Sequence, residues 1–306
     1  PRQAAPVDVF GLHFGNAVGL AAGFDKDGRA WRGAACLGFG HLEIGTVTPR
    51  PQPGNPSPRV FRLVEDAAVV NRLGFPSSGA EVVAETLQQA RSSGVIIGVN
   101  IGRNAVTPNE AAAEDYVACV DAVVAHADYL AVNVSSPNTA GLRDLQTRTA
   151  LEALLAPIDK RRREHAAALG RPVPLLVKLS PDLDDAGLDA ALEAIAATGV
   201  DGVIATNTTL SRSGLRSPNA AETGGLSGLP LRERSLQVVR TIHQRTGGHM
   251  PIVGVGGIAS ADDAAAMIDA GAVLVQVYTA LVYQGPGLVR RMVEGLAVDR
   301  FGGDPQ

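Results

Sequence analysis

Short apolar runs, many of them β-branched, alternate along the chain with longer segments whose apolar positions recur every three or four residues. The short runs occupy 17–20, 41–45, 96–100, 129–134, 175–179, 202–206, 252–255 and 274–277. Runs of this length with no polar face predict strands of a parallel sheet covered on both sides. The longer segments predict helices over 30–37, 79–92, 109–125, 150–169, 184–198, 231–245, 261–270 and 287–298. Asp184 and Ser260 stand where an N-cap is needed, and Gly199, Gly247 and Gly271 stand where a helix must stop.

Eight strand–helix units in strict order require parallel strands joined by helical crossovers. A closed barrel and an open doubly wound sheet both satisfy that order. The count of eight and the shortness of the strands favour a single (β/α)8 barrel over residues 1–306. No low-complexity linker or shift of composition divides the chain. Two strand-to-helix connections are long, 46–78 and 207–230, and a third, 135–149, is moderately so. Long loops in compact domains are usually functional or disordered. In a barrel all three lie on the C-terminal face, where active sites are built.

The composition is 45% hydrophobic and 19% charged, which supplies a large core under a soluble surface. The net charge is -4, and the one basic run, 160–163, sits inside a predicted helix as a solvated face. Nucleic acid is therefore not an expected partner. The two cysteines, Cys36 and Cys119, lie in helical segments away from any ligand spacing. They predict neither a disulfide framework nor a zinc site, and a reducing compartment fits them. No apolar stretch reaches membrane-spanning length, and no signal peptide is recognised.

The chemistry is concentrated where the strands end. Asp25 and Lys26 follow the first strand, Thr46 the second and Asn100 the third. The fourth leads into Asn133, Ser135, Ser136 and Asn138. Lys178 lies in the fifth, and Thr206, Asn207 and Thr208 close the sixth. Gly256 and Gly257 follow the seventh, Tyr278 and Thr279 the eighth. Buried polar groups are costly unless paired, so a ring of them points to a large, flat ligand rich in heteroatoms. Bare glycine amides after strand seven, next to a helix start, suit a phosphate, and barrels often place one there. The alternative for the same two glycines is a tight turn alone, and their position after strand seven favours the phosphate. The run 224–228, Gly-Gly-Leu-Ser-Gly, either closes over that group or is a mobile turn. Lys178 ends a buried run and calls for an anionic ligand group. Ser135 and Ser136 read from composition as a Ser-Pro-Asn turn, since serine alone is no useful base. No histidine or cysteine ends a strand, which argues against metal hydrolysis and a nucleophilic triad. Of the carboxylates, Asp25 is at the mouth and Glu43 inside a strand, which argues against paired-carboxylate glycoside chemistry.

Eight strings at these positions resemble the dihydroorotate dehydrogenase family. They are Gly-Leu-Ala-Ala-Gly-Phe-Asp-Lys-Asp-Gly at 19–28, Glu-Ile-Gly-Thr-Val-Thr-Pro at 43–49, Asn-Arg-Leu-Gly-Phe at 71–75 and Gly-Val-Asn-Ile-Gly at 98–102. Asn-Val-Ser-Ser-Pro-Asn-Thr at 133–139, Thr-Asn-Thr-Thr at 206–209, the glycine run at 224–228 and Val-Gly-Val-Gly-Gly at 253–257 complete the set. The strings come in family order over almost the whole chain, and together they are specific.

The resemblance implies FMN at the barrel mouth, contacted by Ala22, Gly23, Lys26, Thr46, Asn100, Asn133, Lys178, Thr206, Gly228, Gly256, Gly257, Tyr278 and Thr279. It implies dihydroorotate, leaving as orotate, held by Lys26, Asn71, Asn133, Asn138, Asn207 and Thr208 and by the loop residues Arg72, Leu73, Gly74 and Phe75. Ser136 would take the C5 proton while a hydride leaves C6, and both lysines would favour the reduced cofactor. A serine at 136 resembles the quinone-linked class, where the fumarate- and NAD-linked enzymes carry cysteine. That class has an N-terminal helical extension for quinone and for peripheral membrane contact on the cytoplasmic side in bacteria. The barrel pattern here begins soon after Pro1, and the extension is not expected within this chain. The chain departs from the family at Pro76, where asparagine usually follows Gly-Phe, and at Ser77 and Ser78. The alternatives are a related FMN barrel with another acceptor or dihydropyrimidine, a flavin-free phosphate-binding barrel, and a non-catalytic binding barrel.

Overall fold

The computed structural model describes residues 5–88, 90 and 94–299. The chain enters through a hairpin of β1 (Val7–Val9) and β2 (Leu12–Phe14), then runs through β3 (Val18–Leu20), α1 (Trp31–Ala35) and β4 (His41–Val47). The first long connection holds β5 (Val60–Leu63) and β6 (Ala68–Asn71) and leads to α2 (Ala80–Leu87). Three strand–helix units follow: β7 (Ile96–Ile101) with α3 (Ala112–Val123), β8 (Tyr129–Asn133) with α4 (Arg148–Leu169), and β9 (Leu175–Leu179) with α5 (Asp185–Thr198). After β10 (Gly202–Ala205) the second long connection holds β11 (Gly225–Gly228) and leads to α6 (Arg232–Arg245). The chain continues through β12 (Ile252–Val255), α7 (Ala261–Asp269), β13 (Leu274–Val277), α8 (Thr279–Gln284) and α9 (Gly287–Asp299).

Strands β3, β4, β7, β8, β9, β10, β12 and β13 close into a barrel, each parallel to its neighbours. These are the eight strands expected from the pattern, with ends displaced by no more than two residues. The helix expected over 79–92 is shorter, and part of that span, including Ser92, lies outside the described residues. Asp184 and Ser260 do cap their helices, accepting from the amides of Gly187 and Asp263.

Period-two alternation sorts each strand into two faces. In β9, Leu175, Val177 and Leu179 pack outward with the helices, as do Leu42, Ile44, Ile97, Val99, Leu130 and Val132 of neighbouring strands. The inward residues Leu176, Ile204, Val253, Leu274 and Tyr129 fill the lower barrel together with Phe14. The β1–β2 hairpin seals that lower end, with Val7, Val9, Phe10 and Leu12 packed against the inner cluster. Its two-residue loop, Phe10 and Gly11, has positive φ at both positions, the twist a tight hairpin requires. Gly19 and Gly98 leave room for two large rings inside. A Cβ at Gly19 would lie 2.1 Å from the His41 ring, and one at Gly98 2.0 Å from the Tyr129 ring.

One layer higher the inward positions become polar: Glu43, Asn100, Asn133, Lys178, Thr206 and Gln276, all buried. Above them sits an antiparallel sheet, β5–β6–β11, built from the two long connections. The glycine run at 224–228 is therefore largely a strand paired with β6, not a mobile turn. Leu63, Ala68, Val70 and Leu226 form a small core of their own beneath this sheet.

Candidate active site

The polar layer is the floor of a cavity of about 190 Å³ at the C-terminal mouth. Its wall takes Ala22, Gly23, Thr46, Asn133, Lys178 and Thr206 from the barrel strands and their ends, and Ser136, Asn138, Asn207 and Thr208 from the loops that follow. Asn71, Leu73, Gly74 and Phe75 come down from the first long connection. Gly228, Gly256, Gly257, Tyr278 and Thr279 line the opposite end.

That opposite end is a cup of bare backbone. Gly228, Gly256 and Gly257 all have positive φ, at 100°, 128° and 72°. A Cβ at Gly257 would lie 2.4 Å from the Arg232 Cα, and one at Gly228 2.4 Å from the Ala67 carbonyl. Only glycine fits there, and the price of that freedom is met by the rigid surroundings. The Thr279 hydroxyl donates to Ser227 Oγ at 2.8 Å, and Tyr278 packs edge-on against Phe24 at 5.5 Å.

The floor is hydrogen-bonded throughout its depth. Asn133 Nδ2 donates to Thr46 Oγ1 at 2.8 Å and to Asn100 Oδ1 at 3.2 Å. Its Oδ1 accepts from Asn207 Nδ2 at 3.2 Å. Asn100 passes the chain downward, donating to Glu43 Oε1 at 2.8 Å. Lys178 Nζ lies 3.7 Å from the same carboxylate. Both Nδ2 hydrogens of Asn133 and of Asn207 are spent within this network, which fixes the two amides in one orientation at the wall.

Ser136 sits on the wall at 6% exposure. Its Oγ accepts from the Asn138 amide at 3.3 Å. Arg143 clamps the loop that carries it. The guanidinium donates to the Ser135 carbonyl at 3.0 Å and the Thr208 carbonyl at 2.9 Å, and pairs with Asp182 at 2.8 Å. Asp182 in turn holds the Thr209 hydroxyl and the Leu210 amide, which ties the loops after β8, β9 and β10 together. Asn138 Nδ2 donates to Asn71 Oδ1 at 3.1 Å, joining the serine loop to the end of β6.

The loop that contains Pro76 is braced without using an amide at that position. Gln52 Nε2 donates to the Phe75 carbonyl at 2.8 Å, and the Gln52 and Ser77 backbones exchange bonds of 2.9 and 3.0 Å. Proline lacks only the donor that this arrangement never calls on. Phe75 is held at φ 52° and lines the cavity.

Most of the expected site residues thus converge on one space; four stand elsewhere. Asn100 lies under the floor and acts on the cavity through Thr46 and Asn133. Arg72 points away, pairing with Glu222 at 2.7 Å and lying over the Phe61 ring. Asp25 spends its carboxylate on the amides of Arg29 and Ala30. Lys26 does not line the wall, yet it is near enough to Arg59 and Lys178 to be repelled by both. Desolvation is the larger effect, and it pushes the Lys26 ammonium down to about 8. Gln276, Arg143, Asp182 and Gln52 were not anticipated. Gln276 is the inward residue of a strand already recognised, so alternation alone would have found it.

Among the described residues, no group of three or more histidine, cysteine or acidic side chains is placed to hold a metal ion. No helix among them is long and apolar enough to cross a membrane.

Fold and site together define a (β/α)8 barrel whose C-terminal mouth carries a cavity with a glycine-lined cup at one end and a bed of polar side chains at the other. Residues 4–298 match the dihydroorotate dehydrogenase family. The chain is 56% identical over 299 residues to dihydroorotate dehydrogenase (quinone) of Thiobacillus denitrificans, covering 97% of this chain and 88% of that relative. It is 54% identical to the protein of the same name from Anaeromyxobacter, with coverages of 97% and 82%. The ligand-free dihydroorotate dehydrogenase structure from Eimeria tenella superimposes with a TM-score of 0.92 at 40% identity, covering 99% of this chain and 89% of that one. The chain belongs to the dihydroorotate dehydrogenase family, whose members are flavin-dependent oxidoreductases.

Proposed function

We propose that the chain oxidises (S)-dihydroorotate to orotate in de novo pyrimidine synthesis, with FMN at the barrel mouth and a quinone as electron acceptor. The observation that carries this reading is Ser136, nearly buried and facing the same cavity as four asparagine side chains and the glycine cup.

The residues present fit FMN. The cup of Gly228, Gly256 and Gly257 excludes any Cβ and suits a phosphate, with Tyr278 and Thr279 beside it. Gln276 Oε1 is buried and has no protein partner, an acceptor available to a ring N–H. Ala22, Gly23, Thr46, Asn133, Lys178 and Thr206 would surround the ring, with Asn100 supporting from below. A flavin held there would supply the acceptor for the hydride leaving substrate C6.

The chain's own residues orient the substrate and move its proton. Asn71, Asn133, Asn138 and Asn207 line the space that would take a dihydropyrimidine ring, their amides held in fixed orientation by one another and by Thr46, Asn100 and Ser135. Thr208 and the wall formed by Leu73, Gly74 and Phe75 enclose it; Arg72 holds that wall from outside through Glu222. Lys26, set back from the wall, would add positive charge that attracts the substrate carboxylate. Ser136 Oγ would take the proton from C5 as its own hydroxyl proton passes to a water in the cavity, and the Asn138 amide that points at it holds the oxygen in place as a hydrogen-bond donor.

Serine at 136, and relatives whose names specify quinone, support a quinone acceptor; a quinone is carried in a membrane, so a peripheral contact on the cytoplasmic side is proposed with it. The test is a comparison of acceptors in steady-state turnover with dihydroorotate. Short-chain ubiquinone or menaquinone analogues should support turnover where fumarate and NAD⁺ do not. Faster turnover with either of the latter two overturns the quinone assignment.

A further inference from the structure

Glu43 stands at the centre of a buried cluster and is given no part of its own in the proposed chemistry. The residue is fully buried and does not line the cavity. Its Oε1 accepts from Asn100 Nδ2 at 2.8 Å and lies 3.7 Å from Lys178 Nζ. Its Oε2 accepts from Gln276 Nε2 at 2.7 Å and from the Tyr129 hydroxyl at 3.1 Å. Donors from β7, β8, β9 and β13 therefore converge on one carboxylate of β4. His41 lies alongside, its Nε2 3.4 Å from Gln276 Nε2. Burial pushes the His41 imidazole down to about 3, so it adds no charge at neutral pH.

A buried carboxylate persists only where a counter-charge and donors satisfy it, and breaking such a pair strands the other charge. Two of Glu43's partners, Lys178 and Gln276, do line the cavity. Glu43 thus reaches the cavity directly through them, and at one further remove through Asn100. It offsets the Lys178 charge from behind and holds Gln276 with its Oε1 free.

We propose that Glu43 is a positioning residue that lowers the reduction potential of the flavin by partly neutralising Lys178. The inference rests on the FMN reading above. Reduction adds negative charge to the group in the cavity. A lone cation beneath it would favour that gain, and a carboxylate behind the cation opposes it. In a medium of low effective dielectric, such a charge one residue away still acts strongly.

The test is the midpoint potential of the FMN-loaded protein, from an anaerobic spectroscopic titration against reference dyes. Glu43→Gln keeps the shape and removes the charge. The two-electron equilibrium should shift at least tenfold toward the reduced form, about 30 mV more positive. Lys178→Met should shift it the other way. An unchanged or more negative potential in Glu43→Gln, with flavin fully bound, overturns the proposal. Should Glu43→Gln fail to fold, Glu43→Asp is read instead, since it draws the carboxylate back from Lys178 Nζ; a potential that does not rise there overturns the proposal. A wild-type protein that takes up no FMN refutes the FMN reading itself, a result read before any variant is compared.

Discussion

Replacing Arg143 by alanine removes the clamp on the serine loop while leaving the cavity wall untouched, because Arg143 is not among the residues that line it. Three contacts vanish: those to the Ser135 carbonyl, the Thr208 carbonyl and the Asp182 carboxylate. Hydrogen bonds to a charged group contribute about 1.5–3 kcal/mol each when well shielded. The Arg143 and Asp182 side chains are about a quarter exposed, so water replaces part of what is lost. The expected cost is about 2–4 kcal/mol in total. It falls on the loops that carry Ser136 and Thr208. A catalytic group displaced by about 1 Å can slow its step about 10²-fold. Arg143→Ala should therefore bind FMN normally, unfold at lower denaturant concentration, and be reduced by dihydroorotate about 10- to 100-fold more slowly in stopped flow. Arg143→Lys keeps the charge but cannot span three acceptors in a plane, and it should recover only part of the rate. Wild-type reduction rates in Arg143→Ala would remove the clamp from the account.

Three further outcomes are expected. Ser136→Ala should retain FMN and slow flavin reduction by about 10²–10⁴, the usual contribution of a general base; near-normal stopped-flow reduction would remove that role. The Lys26 ammonium, held down to about 8, should lose its proton as pH rises through that value. An anionic substrate favours the charged form, so kcat/KM for dihydroorotate should fall above pH 8 by up to about tenfold per unit. Lys26→Arg should lose that limb, and a limb that persists in it would assign the ionisation to another group. His41, pushed down to about 3 from an ordinary 6.5, should stay neutral when titrated by NMR to pH 4. Its folded pKa is lowered, so the stability it contributes is present above pH 6.5 and is lost toward pH 3 at about 1.4 kcal/mol per unit; a ring that titrates near 6.5 would contradict this.

The barrel was legible because parallel strands buried on both faces read as plain apolar runs, and eight of them alternate with helices. The additional strands were not legible. β1 and β2 are three residues each, too short to show a period. β11 is Gly-Leu-Ser-Gly and pairs with β6 some 150 residues away, a partnership carried by backbone and not by residue type. Within the site, residues at strand ends announced themselves as polar interruptions. Glu43 was visible inside a strand, but its significance depends on Asn100, Tyr129, Lys178 and Gln276, which only the barrel's closure brings together. Arg143 gave no signal, since a lone arginine in a loop looks like solvated charge until the three carbonyl and carboxylate oxygens around it are seen. Lys26 was placed by resemblance, and the structure adds that Arg59 and Lys178 repel it.

The most direct test of the whole account is anaerobic addition of dihydroorotate to the purified protein while its visible spectrum is recorded. The account predicts a flavin spectrum that bleaches within the mixing experiment, with orotate formed in equal amount to the flavin reduced. A flavin spectrum unchanged by dihydroorotate, or a protein that cannot be loaded with FMN, would contradict it.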